Sequence, residues 1–329
     1  MSRGTNQKLK LLYLAKIMNE KTDDAHWLTV PEVIKELSAY DVTAERKSVY
    51  ADFEALRQFG MDIVMEKEGV QYYYHIGTRD MEVAELKLLV DAVQSSKFIT
   101  EKKSNQLIKK LEKSISKYEA KQLNRQVYVH GRVKTMNESI YYNVDKIHNA
   151  INNNVQIKFQ YYQWNVNKEM ELRHGGTFYH ISPWELMWDD ENYYLVGYDS
   201  EAGIIKHFRV DKMIKISPLT DLRDGKEIFD QIDMVSYSNK RFGMYDGEEK
   251  TVQLEFENYL AGVVLDRFGK DVKMRAMDDR HFKVAVEVAI SPQFFGWVMG
   301  LGSGVKIVGP AEVVEQMKQE VGAIHKLYD

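Results

Sequence analysis

Along residues 7–79 the apolar positions recur first at helical and then at strand spacing. Leu11, Leu14, Ala15 and Met18 fall at i, i+3, i+4 and i+7 and predict a helix with one buried face. Thr29-Val30-Pro31-Glu32 has the form of a capping box with proline in the first turn, and Val30, Val33, Ile34 and Leu37 form the stripe of a second helix. Ala39-Tyr40-Asp41-Val42 reads as a short turn, and Thr43 as the N-cap of a third helix that buries Val49, Phe53 and Leu56 and stops at Gly60. Ile63-Val64-Met65 and Gln71-Tyr72-Tyr73-Tyr74-His75-Ile76 are strand-like and joined by residues 66–70. Three helices and a hairpin predict a winged helix-turn-helix over residues 1–80.

Helical spacing then continues through Val83, Leu86, Leu89, Val90 and Val93, and through Leu107, Ile108, Leu111 and Ile115, which predicts a helical connector over 81–140. Residues 143–152 predict a further helix with Val144, Ile147, His148 and Ile151 on one face. From Val155 the period becomes two: Val155, Ile157, Phe159 and Tyr161 alternate with polar residues. Strand-like runs at 169–173, 176–181, 193–198 and 204–210, with Gly-Gly and Asp-Asp turns, predict a small curved sheet or barrel over 141–220. Residues 221–249 are polar and read as a linker. From 250 to 329 the order is β-α-β-β-α-β: strand 251–256, helix 259–267, a hairpin of 273–277 and 281–290 across Asp278-Asp279, helix 292–300, strand 305–308 and helix 310–328. That order predicts a ferredoxin-like unit, and the chain as a whole an α+β multidomain protein.

Composition adds boundaries. The chain has 329 residues, of which 44% are hydrophobic and 29% charged, enough for two or three globular domains. No run of 18 apolar residues and no apolar leader are present, so neither a membrane span nor a signal peptide is expected. The absence of cysteine excludes disulfides and thiolate metal sites and points to the cytoplasm. A net charge of −4 carries no global signature of nucleic-acid binding, so any basic surface must be local. From Lys97 to Lys134 eleven basic residues, Arg125 and Arg132 among them, face three acidic ones, a net of +8. This segment reads either as a solvated helix face or as a connector near a phosphate backbone or anionic ligand. Residues 1–80 hold eleven basic and thirteen acidic side chains, net −2, so DNA binding there would need a one-sided cluster of Arg3, Lys8, Lys10, Arg46, Lys47 and Arg57.

Catalytic signals are absent. No HExxH and no G-x-S-x-G occur, and Gly300-Leu301-Gly302-Ser303-Gly304 follows a helix and precedes a strand, the reverse of a phosphate loop. No catalytic residue, metal or cofactor is expected, and the chain is read as a non-enzyme. The first binding candidate is an anion pocket on the strand-rich unit, from Tyr161, Tyr162, His180, Ser182, Tyr194, Lys206 and Arg209. Arginine supplies a bidentate fork for phosphate, and tyrosines supply stacking faces and hydroxyls, which suits a nucleotide or single-stranded nucleic acid. The bland reading is that the tyrosines only pack and that Arg209 pairs with Asp211 or Glu185. The second candidate is the third helix and its surroundings, where Lys8, Thr43, Arg46, Lys47, Ser48, Tyr50 and Arg57 are the expected contacts to duplex DNA. The closing helix, with Val313, Val314, Met317, Val321 and Ile324, is expected together with the helical connector to supply a homodimer interface.

Pro183-Trp184-Glu185-Leu186, Asn192 to Asp199 and His207-Phe208-Arg209-Val210-Asp211-Lys212-Met213 together resemble the core of the WYL domain, whose namesake triplet is here Tyr193-Tyr194-Leu195. Lys47 to Leu56 resembles the recognition helix of the DeoR-type winged helix, with Tyr50 and Ala51 at two positions that are often arginine. The C-terminal unit resembles the WCX extension, with Trp297-Val298 in place of the Trp-Cys pair. The resemblance covers nearly the whole chain. It implies a WYL-domain transcriptional regulator with a five-stranded Sm-like barrel over about 141–220, a basic aromatic pocket for nucleotides or single-stranded DNA, and a functional arginine at Arg209. It also implies a duplex operator as partner and a homodimer, because one helix-turn-helix reads a half-site. The competing reading is a ligand-dependent enzyme or effector regulator whose winged helix contacts proteins, for which the net −2 of residues 1–80 speaks.

Overall fold

The computed structural model describes residues 6–123, 134–135 and 137–329, the side chains of Val235, Ser236 and Ser238 excepted. Arg3, Arg125 and Arg132 lie outside the described residues. The chain divides into two compact units, Met1–Glu138 and Ser139–Asp329. It is a mixed α/β protein: helices dominate the first unit, and a curled antiparallel sheet and a second sheet dominate the second.

In the first unit a 3-10 turn, Gln7–Leu9, leads into α1, Lys10–Lys21. α1 buries Leu14, Ile17 and Met18, whereas Leu11 is exposed. The stripe is rotated because Lys10 takes a core-side position, where its ammonium pairs with Asp52 and donates to the Ser48 hydroxyl at 2.8 Å. In α2, Val30–Ser38, the capping box forms as the spacing predicts: the Thr29 amide donates to the Glu32 carboxylate at 2.8 Å and the Glu32 amide to Thr29 Oγ1 at 3.5 Å. The third helix, α3, is Arg46–Phe59, and its N-cap is Glu45 rather than Thr43. After Asp41 turns at φ +57, Val42 is drawn into the core, which keeps residues 42–45 out of the helix. Gly60, at φ +108, ends α3 in the left-handed conformation that glycine adopts without strain. β1, Ile63–Glu68, pairs antiparallel with β2, Gln71–Ile76, so the first strand runs three residues past the expected Met65. Val49, Phe53 and Leu56 pack with Tyr74 and Ile76 in one core. α4, Val83–Ser95, α5, Glu101–Leu111, and α6, Lys117–Leu123, bury Leu86, Val90, Ile108, Ile115 and Leu123 among themselves.

The second unit opens with α7, Ile140–Asn152, whose buried face is Ile140, Asn143, Ile147 and Ala150; the expected His148 is exposed. β3, Val155–Trp164, is the hub of the curled sheet. It pairs with β4, Met170–Leu172, at its C-terminal end, and with β5, Tyr179–Asp189. β6, Asn192–Asp199, and β7, Ile204–Arg209, continue the order β4-β3-β5-β6-β7, while β8, Met213–Leu222, returns to pair with β3. Register shifts in β3–β8 and between Pro183 and Glu185 bend the strands. β7 and β8 are joined by a 3-10 turn, Val210–Lys212, and do not pair. The result is six strands in a curled sheet, where five in a barrel were expected. The strand expected from Gly176 begins only at Tyr179, because Arg173–Gly176 is a 3-10 turn with positive φ at His174, Gly175 and Gly176.

Residues 221–249 are not an irregular linker throughout. They contain α8, Lys226–Phe229, and α9, Met234–Lys240. The C-terminal sheet is built from β9, Glu249–Glu257; α10, Ala261–Phe268, follows it. β10, Met274–Ala276, β11, His281–Ala289, α11, Pro292–Gly300, β12, Val305–Gly309, and α12, Ala311–His325, complete the unit. The strand order is β10-β11-β9-β12, antiparallel throughout. Leu254, Phe256, Val264, Phe294, Val298 and Val313 lie in its core. Val313 is fully buried and Val314 and Met317 pack against that core, so of the five α12 residues expected at an interface only Val321 and Ile324 are exposed. Among the described residues, no helix is long and apolar enough to cross a membrane.

Candidate functional site

On α3 the expected DNA contacts divide by what the fold has already done with them. Arg46 and Lys47 are exposed at the N-terminus of the helix, Thr43 is exposed just before it, and Lys8 is exposed in the turn that precedes α1. Arg46 Nε donates to the Tyr50 hydroxyl at 2.8 Å, which holds the guanidinium along the outside of the helix. Ser48 is committed inward: its hydroxyl accepts from Lys10 and donates to the Glu45 carbonyl at 2.9 Å. Arg57 is committed as well, since its Nε donates to the Ile63 carbonyl at 2.7 Å and its Nη1 reaches Glu54. These two residues fix α3 to α1 and β1 rather than presenting free donors. The basic segment after α4 also contains an internal ammonium: Lys134 Nζ donates to the carbonyls of Val93, Ser96 and Ile99 and to Ser104 Oγ at 2.8–3.3 Å.

A buried polar joint in this unit had no signal in the sequence. Asp23, between α1 and α2, accepts a short hydrogen bond from Ser116, the residue before α6, and Ser116 Oγ in turn accepts from the amides of Tyr118 and Glu119. The His26 ring lies flat on Tyr118, with centroids 3.6 Å apart, and Arg79 donates to the Asn19 and Thr22 carbonyls within 3.7 Å of Glu119. Burial would raise the Asp23 carboxyl, but donation from Ser116 and His26 holds it below its ordinary 3.8.

On the curled sheet, strand register decides which of the seven expected ligand residues meet. Tyr194 stands directly opposite Arg209 on β6–β7. The Arg209 amide donates to the Tyr161 hydroxyl at 3.2 Å, and the Tyr162 hydroxyl donates to the Asp211 carbonyl at 3.2 Å, so both tyrosines of β3 hold the turn that ends β7. Burial pushes the Tyr161 hydroxyl up to about 12, so it is neutral at physiological pH. The Arg209 guanidinium forks onto Asp211, with Nε at 3.1 Å and Nη2 at 3.0 Å, and Nη2 also donates to Asn192 at 2.9 Å. Of the two carboxylates considered from sequence, Asp211 is the partner.

The other three residues do not join them. Ser182 is fully buried, donates to Asp224 at 2.5 Å and accepts from the Asp224 amide at 3.0 Å. Ser182 pairs with Tyr198, four residues along β6 from Tyr194 and thus about 13 Å away at strand rise. Lys206 is held by Asp199 at 2.6 Å near the same end. His180 is exposed on β5 opposite Lys158.

Two cations that sequence reading missed take their place. Arg173 stands 5.9 Å from the Tyr161 ring, and the Lys212 ammonium is pushed down by burial and then by the charges of Arg209 and Arg173. The 3-10 turn at 210–212 is what brings Lys212 round to Arg209. Arg173, Arg209 and Lys212 thus gather beside two tyrosines, with Asp211 as their carboxylate. Such a group can bind an anion by charge-assisted hydrogen bonds, provided the anion competes with Asp211 for the fork.

Residues 142–218 match the family model of the WYL domain, and residues 248–324 match that of the WCX domain. No curated protein matches the chain. Among solved structures the chain is similar to proteasome accessory factor B/C (PafBC) of Arthrobacter aurescens, at 17% identity and a TM-score of 0.23 over 95% of this chain and 45% of that one. It is also similar to a CRISPR Cas-related protein, at 13% identity and a TM-score of 0.36 over 67% of this chain and 60% of that one. The chain spans less than two thirds of the length of either. The chain therefore carries a WYL domain followed by a WCX domain.

Proposed function

We propose that the protein is a cytoplasmic transcription regulator that binds a duplex operator as a homodimer and whose WYL domain senses an anionic ligand, a nucleotide or a single-stranded nucleic acid. In this reading residues 1–80 are a winged helix-turn-helix, 81–140 a connector, 141–220 an Sm-like sensor and 250–329 a ferredoxin-like WCX domain, with no catalytic role. The observation that carries the ligand side is the gathering of Arg173, Arg209 and Lys212 beside Tyr161 and Tyr162. The DNA side is supported by the three-helix-and-hairpin order and by the exposure of Arg46 and Lys47 at the start of α3. The mechanism is linkage: a ligand that favours one conformation changes operator affinity by its differential binding to the two.

The test is a binding experiment on the full chain. Labelled short single-stranded oligonucleotides and mononucleotides are titrated against the protein and against Lys212→Gln with Arg173→Gln. In parallel, duplex from upstream of the protein's own gene is titrated at two salt concentrations. Anion binding that falls in the double variant, together with salt-dependent duplex binding, supports the reading. Absence of any anion binding overturns the sensor assignment, and duplex affinity indifferent to sequence overturns the operator.

A further inference from the structure

Tyr194, opposite Arg209, is not open to solvent on its own face of the sheet. It is buried in a small cluster with Val196 of β6 and with Tyr237 and Met244 of the segment that follows β8; Phe229, Ile232 and Met234 pack around it. Residues 226–246 therefore lie against the side of β6–β7 opposite the one on which Leu195 and Phe208 pack inward.

The segment is anchored before it starts. Asp224 is held by Ser182 and by Ser200, and the Trp184 indole donates to the Asp224 carbonyl at 3.0 Å. Gly225 then turns at φ +73 so close to Tyr198 that a Cβ would sit 2.2 Å from its ring. At the far end Arg241 Nη1 donates to Glu249 of β9 at 3.0 Å, and Lys240 reaches Glu249 and Glu287 at 2.9 Å each. Between the anchors, His207 of β7 acts as a catch. Its Nε2 lies 2.7 Å from the Tyr237 hydroxyl and its Nδ1 3.2 Å from Asp246. Arg241 stacks 3.5 Å over the Tyr237 ring and donates to Asp246 at 3.1 Å.

We propose that residues 226–239 form a latched strap that covers the Tyr194 face of the WYL sheet and must lift before a ligand reaches Tyr194 beside Arg209, while Phe242, buried against Phe294 and Trp297, stays fixed in the C-terminal core. Two features make lifting cheap relative to unfolding. The strap adds no strand to the sheet, so its departure breaks no ladder between strands. The outer end of the catch is open to water, the Asp246 side chain being 57% exposed, while His207 at 6% forms its buried end. The ligand half of the proposal rests on the function proposed above, whereas the strap itself does not.

Hydrogen exchange of the full chain, read peptide by peptide, tests the strap without any ligand. In the wild type the amides of α9 exchange ahead of those of β6 and β9. Tyr237→Phe keeps the ring and removes the hydroxyl on His207; it speeds α9 exchange by about tenfold, equivalent to about 1.4 kcal/mol, and leaves β6 and β9 unchanged. Arg241→Gln does the same from the other side of the Tyr237 ring. If α9 exchanges only together with β6, or if neither variant changes it, there is no strap.

A labelled single-stranded oligonucleotide is the probe for the second arm. Its affinity rises in Tyr237→Phe as the strap competes less. Equal affinity in the two proteins, with α9 opening faster, overturns the competition. If the probe binds neither protein, the sensor reading fails, while the exchange result still decides whether the strap opens.

Discussion

Arg209 and Asp211 face each other through two parallel hydrogen bonds, at 3.1 and 3.0 Å, across the turn that ends β7. The fork that would grip a phosphate therefore already holds a carboxylate, and the Arg209 side chain is 36% exposed. An anion arriving here exchanges one charge-assisted pair for another, with Arg173 and Lys212 supplying the surplus attraction. Arg209→Ala is expected to weaken anion binding by about 1.5–3 kcal/mol, the range for hydrogen bonds to charged groups, while operator affinity without ligand stays the same. Melting temperature, operator affinity and ligand affinity measured on this one variant separate the roles. If Arg209 serves only to hold Asp211, all three fall together.

Arg46→Ala and Lys47→Ala are each expected to weaken duplex binding across all sequences and to lower the salt slope by about 1 for each phosphate that is no longer neutralised. Ser48→Ala should behave differently, because its hydroxyl serves Lys10 and Glu45. Its expected effect is a lower melting temperature with the salt slope unchanged. Gel shifts at several salt concentrations, paired with thermal melts, distinguish the two patterns.

The joint between Asp23 and Ser116 predicts an acid-sensitive first unit. The folded Asp23 carboxyl titrates below its ordinary 3.8. It therefore contributes stability that is fully present above that value and is lost as pH falls through the folded one. Asp23→Asn should flatten that part of the acid limb and lower stability at neutral pH. Urea unfolding of the wild type and the variant, from about pH 6 down to the acid limb, checks the sign.

Gly225→Ala combines a left-handed backbone at φ +73 with a Cβ 2.2 Å from the Tyr198 ring. The expected cost is about 1–3 kcal/mol, as for overpacking a filled site, read from the denaturant midpoint. A change within error would mean that Tyr198 and the Asp224 anchor shift freely.

What was legible in the chain was what short-range periodicity encodes. The capping box at Thr29–Glu32, the buried stripe of α3 and the stop at Gly60 depend on neighbours within a few residues, and each is found where spacing places it, whereas the alternation of β3 holds only through Ile157 and Phe159 and gives way where Gln160 and Tyr162 are both buried. Position along a strand says less about which strands meet. Tyr194 and Arg209 face each other, whereas Ser182 and Lys206 belong to the other end of the same hairpins, because register is set by the turns and the bulge at Pro183–Glu185 rather than by the chemistry of the residues themselves. Lys10 looked like part of a basic surface and is instead neutralised in the core by Asp52 of another helix. Arg57 was likewise consumed by the Ile63 carbonyl. Arg173 and Lys212 gained their place only when a 3-10 turn and a curled β3 brought them to one spot. Local hydrogen bonding and hydrophobic period are properties of adjacent residues. The fate of a charged side chain is decided by the distant partner that desolvation obliges it to find, and only the tertiary structure supplies that partner.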